Sequence, residues 1–327
     1  MTEKVTIAVV GATGQQGGGL ARAILDDSEG RYSCRALTRS PASDAARALA
    51  DRGADVVRAD LDDRNSLIEA FRGASNAFCM TNFFEHFSPE KELEQAANLA
   101  AAAKASGIGH VIWSTSQDSS AWARRHGDCL PVLPGGYRVP HWDGKAQADH
   151  FFTDSGVATT FVGPSMFWEN FLAPGSPQFP QRGPDGVLAI TMPAGAAKLP
   201  GIAAEDIGRC AYAIFKAGSE FVGRSVGLAA EHLTATELAA GLSEALGETV
   251  RYDDIPLAAL RAAPIPGADA IGNMFQIMTE DNEDYCAHYD IGATRALNPR
   301  LQSFAEWVAA ARERSRLAAG TAYEGAR

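Results

Sequence analysis

The chain has 327 residues, of which 46% are hydrophobic and 21% charged, and its formal net charge is −11. At about 150 residues per domain this length holds two domains or one large one, with ample apolar material for a core. The acidic balance and the lack of any Lys/Arg block disfavour a direct nucleic-acid partner, which needs a basic patch to displace counterions from phosphates.

In chain order, Met1–Lys4 leads into a strand Thr6–Val10 with no basic n-region or cleavage site, so no secretory signal is predicted. Further strands are predicted at Arg35–Thr38, Asp55–Ala59, Ala77–Thr81, Val111–Ser114 and Thr159–Val162. Helices are predicted between them near Gln15–Asp27, Ala42–Arg52, Asn65–Arg72, Pro89–Ser106 and Asp143–Ser155. This alternation predicts βαβ units in a parallel sheet, wound right-handed. The Gly/Pro-rich stretch Ala173–Pro200 then breaks the pattern, with a hairpin near Asp185–Thr191 and a helix at Ala204–Ala217.

Thr234 and Glu237 read as a capping box opening a helix to about Leu246. A strand Arg251–Asp254 and helices Pro256–Ala263, Ala268–Thr279 and Ser303–Ala318 follow, with a frayed tail Gly320–Arg327. The basic stretch Arg312–Arg316 is interrupted by Glu313 and Ser315 and reads as a solvated helix face. The expected fold is α/β: a doubly wound parallel Rossmann sheet over residues 1–165, with helix 204–217 returning to it, and a smaller α+β domain over 166–327. No apolar run reaches the roughly 18 residues that span a bilayer, so no membrane association is expected. The five cysteines, Cys34, Cys79, Cys129, Cys210 and Cys286, are scattered and never spaced as C-x-x-C. Neither a disulfide framework nor a metal site is expected, and the expected compartment is the cytoplasm.

The strand Val5–Val10 runs into Gly11-Ala12-Thr13-Gly14-Gln15-Gln16-Gly17 and at once into a helix. Gly11 permits the tight turn, Gly14 lets the backbone approach a pyrophosphate, and Gly17 allows helix and sheet to close. The phosphates would rest on free N–H groups at the positive end of the helix. The second strand ends Leu37-Thr38-Arg39-Ser40, with no carboxylate before Asp44. An NAD site places an acid there for the ribose 2′-hydroxyl, whereas Arg39, aided by Ser40, suits the 2′-phosphate of NADP(H). By topology, Asp60 and Leu61 after the third strand, and Thr81, Asn82 and Phe83 after the fourth, should border the cofactor.

The phosphate loop and strand spacing resemble the short-chain dehydrogenase/reductase superfamily, whose Tyr-x-x-x-Lys pair lies on one helical face. Here that segment is His141-Trp-Asp-Gly-Lys145, with the lysine and without the tyrosine. More narrowly, the chain is similar to the NmrA-like family and its HSCARG-type redox-sensor branch. The similarity rests on Gly11–Gly18, Thr81-Asn82, His141-x-Asp-Gly-Lys145, Phe167-Trp-Glu-Asn-Phe171, Pro184-Asp-Gly186, Ala204–Gly208, Asn273-Met-Phe275, Leu297-Asn-Pro and Phe304-x-x-Trp307. The resemblance implies an NADP(H) site that includes Lys145, Phe167, Trp168, Glu169 and Asn170. It also implies members that bind the cofactor without turning it over and report through protein partners. One departure is the longer stretch between Ser114 and Lys145, containing Ala121–Arg138 with Trp122, Cys129 and Tyr137.

Two functions stand side by side at this point. In the first, the protein senses NADP(H) with little turnover, the two redox forms favouring different states of the mobile loop Ala121–Arg138 or of the two-domain cleft. In the second, it reduces a small carbonyl, quinone or enone with NADPH. His141 (unperturbed pKa about 6.5) or a loop residue then replaces the tyrosine, and Ser114 orients the substrate. Asp143 reads as part of the helix's first turn, Tyr137 as a loop aromatic, and Cys34, Cys79 and Cys210 as buried and inert. Cys129, near Arg124 and Arg125, is the one thiol whose surroundings favour a thiolate. The substrate, the protein partner and the oligomeric state are not read from the sequence.

Overall fold

A computed structural model describes residues 4–313, which divide into two compact units. The first holds the chain to Pro164 together with Ala204–Leu228 and Ala296–Pro299; the second holds Ser165–Ala203, Ala229–Arg295 and the described chain from Arg300.

The first unit begins β1 (Val5–Val10), α1 (Gln15–Leu25), β2 (Tyr32–Thr38), α2 (Asp44–Asp51), β3 (Asp55–Arg58) and α3 (Arg64–Phe71). It continues β4 (Asn76–Cys79), α4 (Pro89–Ala105), β5 (His110–Ser114), α5 (Ser119–Arg125), α6 (Pro140–Ser155) and β6 (Thr159–Pro164). After the second unit's β7 (Met166–Phe167), β8 (Gln181–Arg182), β9 (Leu188–Met192) and β10 (Lys198–Ile202), the chain returns as α7 (Ala204–Ala217) and β11 (Ser225–Leu228). The sheet order is β11-β6-β5-β4-β1-β2-β3, and every pair is parallel. The order reverses between β1 and β4, which opens a crevice at their carboxyl ends, where doubly wound sheets bind ligands. The doubly wound parallel sheet expected from the sequence is therefore present, with β11 as an edge strand the sequence did not disclose.

The central strands are apolar on both faces because helices cover both sides: Ile7, Ala8 and Val9 are fully buried, as are Val111, Ile112 and Trp113. Trp113 stacks on Phe152 of α6, ring centroids 4.6 Å apart. Helices α1 and α7 approach closely through glycines: a Cβ on Gly19 would lie 2.7 Å from the Ala204 carbonyl oxygen, and one on Gly208 2.1 Å from Gly19 C.

The second unit carries two three-stranded sheets. One joins β10 to β7 and to β12 (Glu231–Thr234); the other joins β9 to β8 and to β13 (Val250–Asp254). Thr234 and Glu237 form the capping box that opens α8 (Ala235–Leu246), as their spacing predicts. Helices α9 (Leu257–Arg261), α10 (Ala268–Glu280) and α11 (Asn282–Ala287) follow. Its aromatic core includes Trp168, Phe171, Phe304 and Trp307. Residues 304–313 are helical; the expected continuation to Ala318 and the tail Gly320–Arg327 lie outside the described residues. No helix among the described residues is long and apolar enough to cross a membrane.

Candidate cofactor site

The glycine loop sits at the carboxyl end of β1. Gly11 has φ +67°, and its carbonyl accepts from the Gly14 N–H at 2.9 Å, closing the turn. A Cβ on Gly17 would lie 2.5 Å from the carbonyl oxygens of both Val10 and Gly11, so only glycine fits where the helix meets the strand. Gly14 caps α1 with no side-chain hydrogen bond, and the first turn carries no acidic residue. An uncapped positive helix end beside a bare backbone cradle fits a pyrophosphate. Ala12 is buried, whereas Thr13, Gly14 and Gln15 are exposed at the mouth. Gln16 Oε1 accepts from Ser114 Oγ at 2.9 Å. Ser114 is itself buried, and its hydroxyl ties β5 to the loop.

Around this cradle the loops after β3 and β4 are held by side chains of α4. This helix turns a polar ladder inward: Glu92, Gln95 and Asn98, three residues apart, lie on its buried face. Asn98 Nδ2 donates to the Leu61 carbonyl at 3.0 Å, and Gln95 Nε2 donates to Asp62 Oδ1 at 2.9 Å. Asp60 Oδ1 accepts from the Asp62 N–H at 3.0 Å, which fixes the turn. Polar residues recurring every three positions in an alanine-rich helix were the available signal for this ladder, and the sequence reading missed it.

Glu92 goes further. Its Oε1 accepts from Thr81 Oγ1 at 2.5 Å and lies 2.7 Å from Lys145 Nζ. Lys145 also donates to the Thr81 carbonyl at 2.9 Å and to Thr81 Oγ1 at 2.8 Å. An ammonium has three donors, and each of Lys145's has an acceptor within this cluster. Glu92 Oε2 faces His86 Nε2 at 3.5 Å, and neither atom has a hydrogen-bond partner among the described residues. His86 Nδ1 accepts from the Ser88 N–H at 3.1 Å, so in the neutral ring the proton lies on Nε2, toward Glu92.

His141 and Lys145 lie one turn apart on α6, which starts at Pro140, three residues before the expected Asp143. Asp149, four residues further on, extends the same face. His141 packs against Phe83 and Phe84, centroids 5.9 and 5.5 Å away. Burial and then the Lys145 charge lower its pKa to about 4. The shift favours the neutral imidazole, where an ordinary pKa was expected from the sequence. Asp149, not expected from the sequence, is raised by burial to about 6, although Thr115 Oγ1 and Trp113 Nε1 donate to its Oδ1 at 2.6 and 2.9 Å.

The longer stretch before Lys145 is anchored at a few buried side chains, with residues 124–129 and most of 131–136 exposed. Residues Ser119–Arg125 form α5, and Trp122, Leu130 and Tyr137 are buried. Asp143 closes it: Oδ1 accepts from Ser119 N–H and Oγ at 2.9 and 2.6 Å, and Oδ2 from the Arg138 and Val139 N–H groups at 2.8 and 3.1 Å. Tyr137 precedes α6, which starts at Pro140, so Tyr137 and Lys145 do not share a continuous helix. Cys129 is exposed; Cys34, Cys79 and Cys210 are buried and their thiol pKa values are raised by desolvation.

Arg39 is exposed after β2 and pairs with Glu85, while Ser40 N–H donates to Thr38 Oγ1 at 3.2 Å. Asn82 is exposed and Phe83 buried in the short turn after β4. Phe167, Trp168, Glu169 and Asn170 belong to the second unit. Trp168 is 1% exposed, and a Cβ on Gly201 would lie 2.2 Å from its Nε1, so the second unit's core takes it up.

A seven-stranded parallel sheet with a glycine cradle at its switch point defines a Rossmann-type fold of the dinucleotide-binding kind. The chain belongs to the NmrA-like family, whose profile matches residues 3–308. Among curated relatives, the NmrA-like family domain-containing oxidoreductase FrzB of Cladobotryum sp is 28% identical over 268 residues, covering 76% of each chain. The corresponding oxidoreductase malD of Malbranchea aurantiaca is 26% identical over 275 residues, covering 78% of this chain and 79% of its own. Among solved structures, NmrA, described as a negative transcriptional regulator, superposes with a TM-score of 0.77 at 24% identity, covering 97% of this chain and 98% of its own. NmrA has also been solved with NAD and with NADP.

Proposed function

We propose that this protein binds NADP(H) and acts as a redox-sensing regulator with little turnover, of the HSCARG type. The cradle Gly11–Gly17 would take the pyrophosphate, Arg39 and Ser40 the 2′-phosphate, and the loops at Asp60, Leu61 and Thr81–Phe83 would border the cofactor. Bound there, the cofactor supplies a nicotinamide that gives or accepts hydride. The observation that carries the low turnover is the state of the 141/145 pair. Lys145's donors are committed to Glu92 and Thr81, and His141 is neutral at pH 7. Neither group is set to deliver a proton to a reduced substrate. A sensor built this way reports through a protein partner, in keeping with the net charge of −11.

A second reading, an NADPH-dependent reductase of a small carbonyl, quinone or enone, is supported by the oxidoreductase names of FrzB and malD. It is supported also by Phe84 and Phe87, 62% and 65% exposed beside the His141 cluster, an apolar platform for a flat substrate. Its acid would be a group other than His141. Calorimetric titration with NADPH, NADP⁺, NADH and NAD⁺, followed by a carbonyl, quinone and enone panel, separates the readings. The sensor predicts tight NADPH binding and unchanged absorbance across the panel. NADPH consumption at ordinary enzyme rates would replace it with the reductase, and failure to bind any of the four cofactors would remove both.

A further inference from the structure

The strand order places β2 and β4 on either side of β1, so the loops that follow them flank the phosphate cradle. One ion pair joins these two loops. Arg39 Nη2 lies 3.0 Å from Glu85 Oε1 and 2.9 Å from Oε2, and Asn82 Nδ2 donates to the same Oε1 at 3.3 Å. Glu85 ends the short turn Phe83–Glu85, and among the described residues it is the partner of Arg39's guanidinium. A pair this exposed contributes little to stability. Its position, on the arginine read as the 2′-phosphate ligand, is what gives it consequence.

We propose that Glu85 is a specificity-determining residue of the cofactor site. Its carboxylate competes with a 2′-phosphate for Arg39 and supplies the acid for a 2′-hydroxyl that the end of β2 does not carry. The proposal rests on reading Gly11–Gly17 and Arg39 as an NADP(H) site. A phosphate monoester brings a charge of about −1.5 to −2. To reach Arg39 it must displace Glu85 or share the guanidinium with it against like-charge repulsion. NAD(H) meets no such competition, because its 2′-hydroxyl donates to a carboxylate, the usual device for this cofactor. Arg39 and Glu85 thus favour opposite cofactors, and the balance between them sets how far the site prefers NADP(H).

The test is calorimetric titration of the full chain with NADP⁺ and NAD⁺ in the wild type, Glu85→Gln, Glu85→Ala, Arg39→Ala and the Arg39→Ala/Glu85→Ala double variant. The expected result is opposite signs in one protein: Glu85→Ala binds NADP⁺ about three- to tenfold more tightly and NAD⁺ more weakly. Glu85→Gln, which keeps an oxygen acceptor, gains for NADP⁺ and loses less for NAD⁺. Without Arg39 the gain for NADP⁺ disappears. A merely structural Glu85 would move both affinities the same way, and that outcome, or an unmoved ratio, overturns the assignment while leaving the cofactor site intact. Wild-type protein that binds neither cofactor overturns the site and the assignment together.

Discussion

Lys145 Nζ lies 2.7 Å from Glu92 Oε1, and the Glu92 side chain has 0% of its surface exposed. In the superfamily arrangement that α6 resembles, this lysine serves a tyrosine and the nicotinamide ribose; here it serves a buried carboxylate on α4. Helices α4 and α6 are thereby joined by a charge pair beneath the loop that carries Thr81. The Tyr-x-x-x-Lys pattern contains no counterpart of this carboxylate.

Breaking that pair from one side should be costly. Glu92→Ala leaves a buried ammonium without its counter-ion, and Lys145→Met leaves the carboxylate without its cation; each should lose about 3–5 kcal/mol. The Glu92→Gln/Lys145→Met double variant strands neither charge and should cost at least about 1 kcal/mol less than its two singles combined. Urea unfolding of Glu92→Gln, Lys145→Met and the double variant completes the cycle. Additive losses would show that the two charges are not coupled.

The same helix face sets a pH response with two opposing parts. His141 is lowered to about 4 from an ordinary 6.5, so its neutral form stabilises the fold above pH 6.5 and that contribution is lost as pH falls toward 4. Asp149 is raised to about 6 from 3.8, so its protonated form favours the fold below pH 3.8 and that contribution is lost as pH rises through 6. Relative to wild type, His141→Phe should gain stability on acidification from pH 6.5 to 4, and Asp149→Asn should lose it between pH 6 and 4. Denaturation midpoints at half-unit pH steps read both. Parallel curves for wild type and His141→Phe would show that the imidazole is not held neutral.

Asp143 collects four hydrogen bonds from Ser119, Arg138 and Val139, which pins both ends of the stretch that carries α5. Asp143→Ala orphans buried donors, each costing about 1–3 kcal/mol. The expected outcome is local opening, read as trypsin cleavage after Arg124 or Arg125 at least about tenfold faster than in wild type. Cleavage at the wild-type rate with a lowered global unfolding midpoint would place the role of Asp143 in the whole unit instead.

The sheet was legible because its signals are local. Val5–Val10 is apolar and followed by glycines at fixed spacing, and the structure has the turn, cradle and helix there. Thr234 and Glu237 announce a helix start through a bond between residues three apart, and they make it. Strand β11, of four residues, carries too little pattern to announce itself, and it is a strand because β6 offers it an edge. Helix α5 is similarly short and is placed by Asp118 at its cap and by Asp143, a residue of another helix.

By itself the sequence determined the βαβ alternation, the phosphate cradle, the arginine after β2 and the lysine without its tyrosine, since each depends on residue types at short fixed spacing. Only the tertiary structure decided what those residues face. Glu92 meets Lys145, Glu85 meets Arg39, and Ser114 meets Gln16, all between elements far apart in the chain. Packing and the neighbouring Lys145 lower the pKa of His141. The strength of a charge or a hydrogen bond depends on distance and on excluded water, and both exist only once the chain has folded.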